Sequence, residues 1–302
     1  MKPESGSEGT ALVALLRTRP DRLTWAQITA EVVAVGSARE VWESRTTPTL
    51  MDGGEEDPLT VAARDVEAWQ ASGTRFVTIL DAEYPARLLG IHEAPPVLFA
   101  RGALIPDDVA VSVVGSRAAS PTGIAIAQAV ATSLVEGGMT VVAGLALGID
   151  EAAHRAALDA GGRTVAVIGT GINKVYPRSS QALHSLIAEQ GLLLSQFWPD
   201  APPQRHTFLM RNATMSGYGL ATVVVEAGEQ SGARAQARMA VGHGRPVILT
   251  DLVVDRNDWA KSLLGRPGVH VARGRADVMQ ILDAITQERG RVQDELRDLI
   301  SV

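Results

Sequence analysis

Two glycine-broken turns, each set between an apolar run and a helical pattern, follow one another between Val109 and Ala157. Val109 to Val114 is mostly apolar and β-branched, with the length of a buried parallel strand. Gly115-Ser116-Arg117 breaks that run. Ser120-Pro121 reads as an N-cap followed by proline at the first helical position. Ile124, Ala127, Ala131 and Leu134 then recur at helical spacing until Gly137-Gly138 stops the helix. A second strand, Met139 to Ala143, ends in the turn Gly144 to Gly148, and a second helix starts near Asp150. Strand, glycine turn and helix written twice in succession are the unit of a doubly wound sheet.

Such turns lie at the carboxyl ends of strands, where helix N-termini present unpaired amides. Two adjacent N-termini form a crevice suited to phosphates, and Arg117 adds a charged fork. The same glycines also permit close helix–strand packing, which is all that a single such turn would establish.

Downstream, Gly169-Thr170-Gly171 follows a strand at Val165 to Ile168. Further strands are expected at Leu192 to Ser195, Ala221 to Val225, Pro246 to Leu249 and Val269 to Val271. Upstream, Phe76 to Ile79 and Pro95 to Ala100 read as a short strand and an edge strand. Leu12, Leu15 and Leu16, then Ile28 and Val32, mark a helical start to the chain. The organisation expected is a small helical N-terminal domain over 1–45 and a linker over 46–58. A doubly wound, mostly parallel three-layer α/β domain follows over 59–274, and an amphipathic helical tail over 275–302, with a break at Gly290.

Composition narrows the function. With no cysteine there is no disulfide, thiol nucleophile or thiolate metal site, and the six histidines are scattered without ligand-like spacing. Neither a cofactor nor a metal is expected. No run approaches a membrane span and the charged, polar start is unlike a signal peptide, so a cytoplasmic location is expected. The formal charge of −6 argues against a broadly basic surface. The acidity sits in the flanks, however, and residues 76–274 carry as many basic as acidic side chains.

The succession VVGSRAASPTG, GLALGIDEAAHRAAL, VAVIGTGINKVYP, the pair Arg211-Asn212 and VVVEAGEQSGARAQA resembles the DNA-processing protein A family (DprA, also called Smf). DAEYPARLLGIHEAPPVLFARG resembles the segment preceding its nucleotide-type fold, so the match runs over about residues 60–250. The resemblance implies a Rossmann-like domain preceded by a small helical domain, single-stranded DNA bound in a basic pocket at the sheet's carboxyl edge, a homodimer, and delivery of the strand to a RecA-type recombinase in recombination or uptake. It implies Arg117 as the main phosphate contact, with Ser116, Ser120 and Gly144 shaping the pocket. Lys174, Arg211 and Asn212 would line it, and Ser231 and Gly232 would close its floor. Leu147 and Ala213 stand where the family usually has arginine, and Gln196 where glutamate is common. A member without a C-terminal winged helix is expected.

Asp150 and His154, at i and i+4, have the spacing of an acid–base pair, but an aspartate there reads better as a helix cap with the histidine packed beside it. Glu226 either orients a ligand hydroxyl or holds the neighbouring loop. Ser231 has no histidine partner in sequence. Trp198 and Tyr176 are candidates for stacking on a base. The competing functional class is a nucleotide-binding sensor or nucleotide hydrolase using the same crevice, although a PGGxGTxxE loop is absent. A third is a scaffold that recruits a partner through its helical head or tail.

Overall fold

The computed structural model describes residues 7–46 and 56–300. Most of the expected linker, residues 47–55, lies outside them. Four helices open the chain: α1 (Glu8–Thr18), α2 (Trp25–Val35), α3 (Ala38–Arg45) and α4 (Pro58–Ala71). Strands β1 (Arg75–Thr78) and β2 (Val97–Gly102) follow, joined through a short turn of helix at Ala86–Gly90. The alternating part comprises β3 (Ala110–Gly115), α5 (Pro121–Glu136), β4 (Thr140–Ala143), α6 (Ile149–Asp159), β5 (Thr164–Val167), α7 (Gln181–Gln190) and β6 (Leu192–Ser195). It continues through α8 (Arg205–Tyr218), β7 (Ala221–Glu226), α9 (Gly232–Gly242), β8 (Val247–Thr250), α10 (Asp251–Arg256), α11 (Asp258–Lys261), β9 (Val269–Ala272) and α12 (Arg275–Ile300).

The nine strands form one sheet in the order β1-β2-β6-β5-β4-β3-β7-β8-β9. From β6 to β9 all neighbours are parallel, while β1 and β2 add an antiparallel margin. This is the doubly wound α/β architecture that the repeated turns imply. The chain winds outward from β3 through β4 and β5 to β6, then returns to β7 on the other side of β3. The strand order therefore reverses between β3 and β7, and a crevice opens at their carboxyl ends.

Alternation along the strands feeds a core on each face. Val114, Val142, Val165, Val167, Leu194, Val224 and Leu249 pack beneath the α8–α11 side, with Met215, Tyr218, Ala237 and Trp259. On the other face, Val111, Val113, Val141, Val223 and Ile248 meet α5, α6 and the first half of α12. Farther along that face, Phe99, Ala166, Ile168 and Leu193 meet α7 and the N-terminal helices through Leu183, Ile187, Leu12, Leu15, Ile28 and Val41.

One helix is added and one expectation changes. Arg205–Tyr218, a stretch with Arg205, His206, Arg211 and Asn212 in which the sequence pattern marks no element, forms the 14-residue helix α8. Gly290 does not break the tail, because α12 runs through it. Glycine lowers helix propensity by only about 1 kcal/mol against alanine, which a long helix absorbs. Among the described residues no helix is long and apolar enough to cross a membrane.

Phe99 is fully buried, with its ring centroid 5.0 Å from that of Trp69, 5.5 Å from Phe76 and 6.1 Å from Trp198. Phe99→Ala is expected to cost about 3–5 kcal/mol in urea unfolding and to shift native tryptophan emission, because two of these neighbours are indoles.

Candidate nucleic-acid interface

The crevice between β3 and β7 is a cleft of about 920 Å³. Its rear wall is the turn after β3. Ser116 N donates to the Glu226 carbonyl at 2.7 Å, and the Ser116 carbonyl accepts from Ile149 N at 3.2 Å. The two glycine turns thus lock edge to edge. Gly148 permits this contact: its φ is +77°, and a Cβ there would stand 2.3 Å from the Ser116 carbonyl oxygen.

Arg117 projects from this turn, exposed and with no ion-pair partner among the described residues. Its guanidinium carbon lies 5.7 Å from the centre of the Phe208 ring, and Phe208 lies 5.4 Å from Tyr176. Arg205 and Gln204 at the start of α8, and Ser231 and Gly232 at the start of α9, complete the rim. Two helix N-termini therefore do open on the cleft, but they are those of α8 and α9.

The termini expected to hold phosphate carry internal carboxylates instead. Ser120 caps α5 by accepting from Gly123 N at 3.0 Å, and its hydroxyl donates to Glu226 Oε2 at 2.8 Å. Ser120 N donates to the same oxygen at 3.0 Å. A Cβ on Gly123 would lie 1.9 Å from it, so the Glu226 carboxylate rests directly on the first turn of α5. At α6, Asp150 accepts from Gly144 N at 2.9 Å. Each carboxylate meets the positive end of a helix dipole within the protein, leaving the cleft's positive field to side chains.

Arg211 lies beneath, 5% exposed. Its Nη1 donates to the Val167 carbonyl at 2.9 Å, and its Nε has no partner. The guanidinium crosses Gly144 so closely that a Cβ there would stand 1.4 Å from Nη1. Burial pulls Arg211 below its ordinary basicity, against the opposite pull of Asp150. Burial likewise pushes the Asp150 carboxyl up, opposed by Arg211 and by the Gly144 and Ala146 amides. Arg211 is therefore a floor residue whose charge supports the cleft from below. Asn212 ties the floor to the start of α9 through a 3.4 Å bond to the Gly232 carbonyl.

The structure brings Ser116, Arg117, Arg211, Asn212, Ser231 and Gly232 to one cleft. Ser120 and Gly144 stand behind it as framework. Lys174 pairs with Asp200 at 3.3 Å and is not among the lining residues. Tyr176 is in place for stacking, but Trp198 is not: it packs in the aromatic cluster with Trp25 and Trp69, beneath Arg17. Ala213 is 3% exposed and outside the lining, so an alanine there removes no charge from the cleft, whereas Leu147 is 42% exposed beside it. Phe208 was not anticipated. Its signal was the i, i+3, i+7 spacing of Arg205, Phe208 and Asn212, which places the three on one helix face. His154 is fully buried, its Nδ1 2.7 Å from Thr164 Oγ1, as the packing reading expects.

A family model described as DNA recombination-mediator protein A matches residues 75–286. A putative DNA processing protein DprA of Mycobacterium tuberculosis is 42% identical over 208 residues, 64% of this chain and 54% of that protein. The DNA processing protein DprA of Streptococcus pneumoniae is 40% identical over 172 residues, 57% of this chain and 61% of that protein. The matched region thus spans little more than half the length of these relatives. The X-ray structure of the Streptococcus pneumoniae protein aligns over 93% of this chain and 98% of its own, with a TM-score of 0.69 and 28% identity. DNA processing protein A of Helicobacter pylori, studied for its single-stranded DNA binding mode, aligns over 72% of this chain and 97% of its own. Its TM-score of 0.60 at 22% identity shows the shared fold.

Two outcomes follow from the floor. Gly144→Ala is expected to displace the Arg211 guanidinium, break its bond to Val167 and lower the melting temperature. Burial and Arg211 together bring His154 down to about 3. The unfolded chain then takes up a proton near pH 6.5 that the native state refuses, so stability falls as pH drops below that value. From pH 7 to pH 5 the wild type should lose about 2 kcal/mol more in urea unfolding than His154→Gln.

Proposed function

Because the chain belongs to the DNA recombination-mediator protein A family, we propose that it binds single-stranded DNA in the cleft between β3 and β7. In this reading it acts as a cytoplasmic homodimer in DNA recombination or uptake, protecting the strand and passing it to a RecA-type recombinase. The observation that carries the binding step is Arg117, an exposed guanidinium with no internal carboxylate on it among the described residues, standing over Phe208, whose ring in turn meets Tyr176. A fork for phosphate oxygens beside aromatic faces matches a single strand, whose phosphates lie next to unstacked bases. Phosphate contacts carry no sequence information, so binding is expected to tolerate any sequence.

The roles proposed follow the geometry. Arg117 and Arg205 contact phosphates, with Ser116, Ser231 and Gly232 supplying polar groups on the opposite lips. Phe208 and Tyr176 face the bases. Arg211 and Asn212 hold the floor, while Ser120 and Gly144 keep the two turns in place. Lys174 contributes from the periphery on release from Asp200. The reading is of a binding protein: Asp150 and His154 are both engaged in internal hydrogen bonds. DNA processing protein A of Helicobacter pylori, which shares this fold and whose single-stranded DNA binding mode has been described, supports the choice of ligand.

Fluorescence anisotropy of labelled dT oligomers at two salt concentrations tests this. Arg117→Ala should weaken binding at least about tenfold and lower the salt slope by ~0.7. Arg205→Ala should have a smaller effect. Displacement of the oligomer by ATP, NAD or a cyclic nucleotide at equal phosphate concentration would favour a small-nucleotide site instead.

A further inference from the structure

Positive charge also gathers at the opposite edge of the sheet. Asp108 and Arg245 lie just before β3 and β8, and therefore at the amino ends of parallel strands. Arg87, in the turn Ala86–Gly90, is only 9% exposed, and its Nη1 donates to the Asp108 carbonyl. Arg245 Nη2 donates to the Arg87 carbonyl at 2.9 Å, while Arg245 Nε is buried without a partner. A Cβ on Gly90 would stand 3.3 Å from that Nη2, so the guanidinium is wedged against the turn. On α12, Arg289 follows Val278, Leu282 and Ile285 at spacings of four, three and four. It therefore sits on the face that packs against the body, and it is half-buried.

None of these three arginines forms an ion pair among the described residues. Asp108 is near, but its carboxylate is already held by Arg163 at 3.0 Å, Thr140 at 2.6 Å and Tyr218 at 2.9 Å. Burial, then repulsion from Arg289 and Arg245, brings Arg87 down to about 10, against the pull of Asp107 and Asp108. Burial and Arg289 lower Arg245 in the same way. Guanidiniums that have lost hydration and repel one another are costly unless a counter-charge joins them. A guanidinium offers five donors, and backbone carbonyls use one each on Arg87 and Arg245. A tetrahedral oxyanion supplies both the charge and the acceptors.

We propose that Arg87, Arg245 and Arg289 form a second phosphate-binding site at the amino edge of the sheet, separate from the Arg117 cleft. The phosphate comes either from the backbone of a nucleic-acid strand or from a free phosphate ester or pyrophosphate.

Calorimetric titration of the full chain with pyrophosphate at low salt tests this in an Arg117→Ala background, which disables the cleft. Pyrophosphate binding should persist there. Adding Arg289→Ala should weaken it about tenfold, and Arg289→Lys should restore part of it. Arg289 holds no hydrogen bond or ion pair among the described residues, so unliganded melting temperatures should match, and the rise in melting temperature with pyrophosphate should shrink in Arg289→Ala. Competition by a dT oligomer would assign the site to a strand's backbone, and lack of competition to a free phosphate. Equal pyrophosphate affinity with and without Arg289, or no pyrophosphate binding once Arg117 is removed, would overturn the proposal. Loss of oligomer binding in Arg117→Ala alone reports on the cleft and is read separately.

Discussion

The Glu226 carboxylate on the first turn of α5 is the contact on which the cleft depends. It joins the carboxyl end of β7 to the helix that leaves β3, the two elements between which the sheet changes winding direction. The space it occupies exists because residue 123 is glycine and residue 120 is a serine that both caps the helix and donates to Glu226. Parallel strands supply evenly spaced ladders but no side-chain link between their ends. This bridge and the Ser116–Ile149 bond hold the rim in one shape.

The same arrangement redistributes charge. A helix terminus satisfied by an internal carboxylate stabilises the fold and is withdrawn from ligand binding. With Glu226 on α5 and Asp150 against Gly144, the ends nearest β3 and β4 are withdrawn in this way. The cleft then relies on arginines of two kinds. Arg117 remains in water, where a guanidinium keeps its hydration until a phosphate replaces it. Arg211 is buried, and Asp150 with the Val167 carbonyl offsets part of its lost hydration. One is built for exchange with a ligand and the other for permanence.

A similar imbalance without its internal solution marks the amino edge, where Arg87 and Arg245 have carbonyl partners but no carboxylate of their own. The two edges of one sheet thus treat arginine differently. Near β3 and β4 the chain supplies acidic partners to the buried groups, and near the starts of β3 and β8 Asp107 and Asp108 offset only part of the positive charge.

The parallel strands, their order of appearance, the glycine turns and the cap at Ser120 were legible in the residues, because each depends on neighbours a few positions away. The resemblance over residues 60–250 added the family. Helix α8 was not legible. Its second half is buried on every side, so Asn212, Thr214 and Ser216 point inward beside Met215 and Tyr218, while apolar Leu209 and Met210 in its first half are exposed, and no apolar stripe sets one face apart. Nor could local pattern show that Glu226 reaches Ser120, more than a hundred residues away, or that Trp198 belongs to an aromatic cluster seeded by α2 and α4. The sequence by itself determined the alternation of strands and helices and the turn after β3 that walls the crevice, since periodicity and turn chemistry are local. Only the tertiary structure decided which charges face that crevice, because pairing between distant carboxylates, amides and guanidiniums is settled by packing.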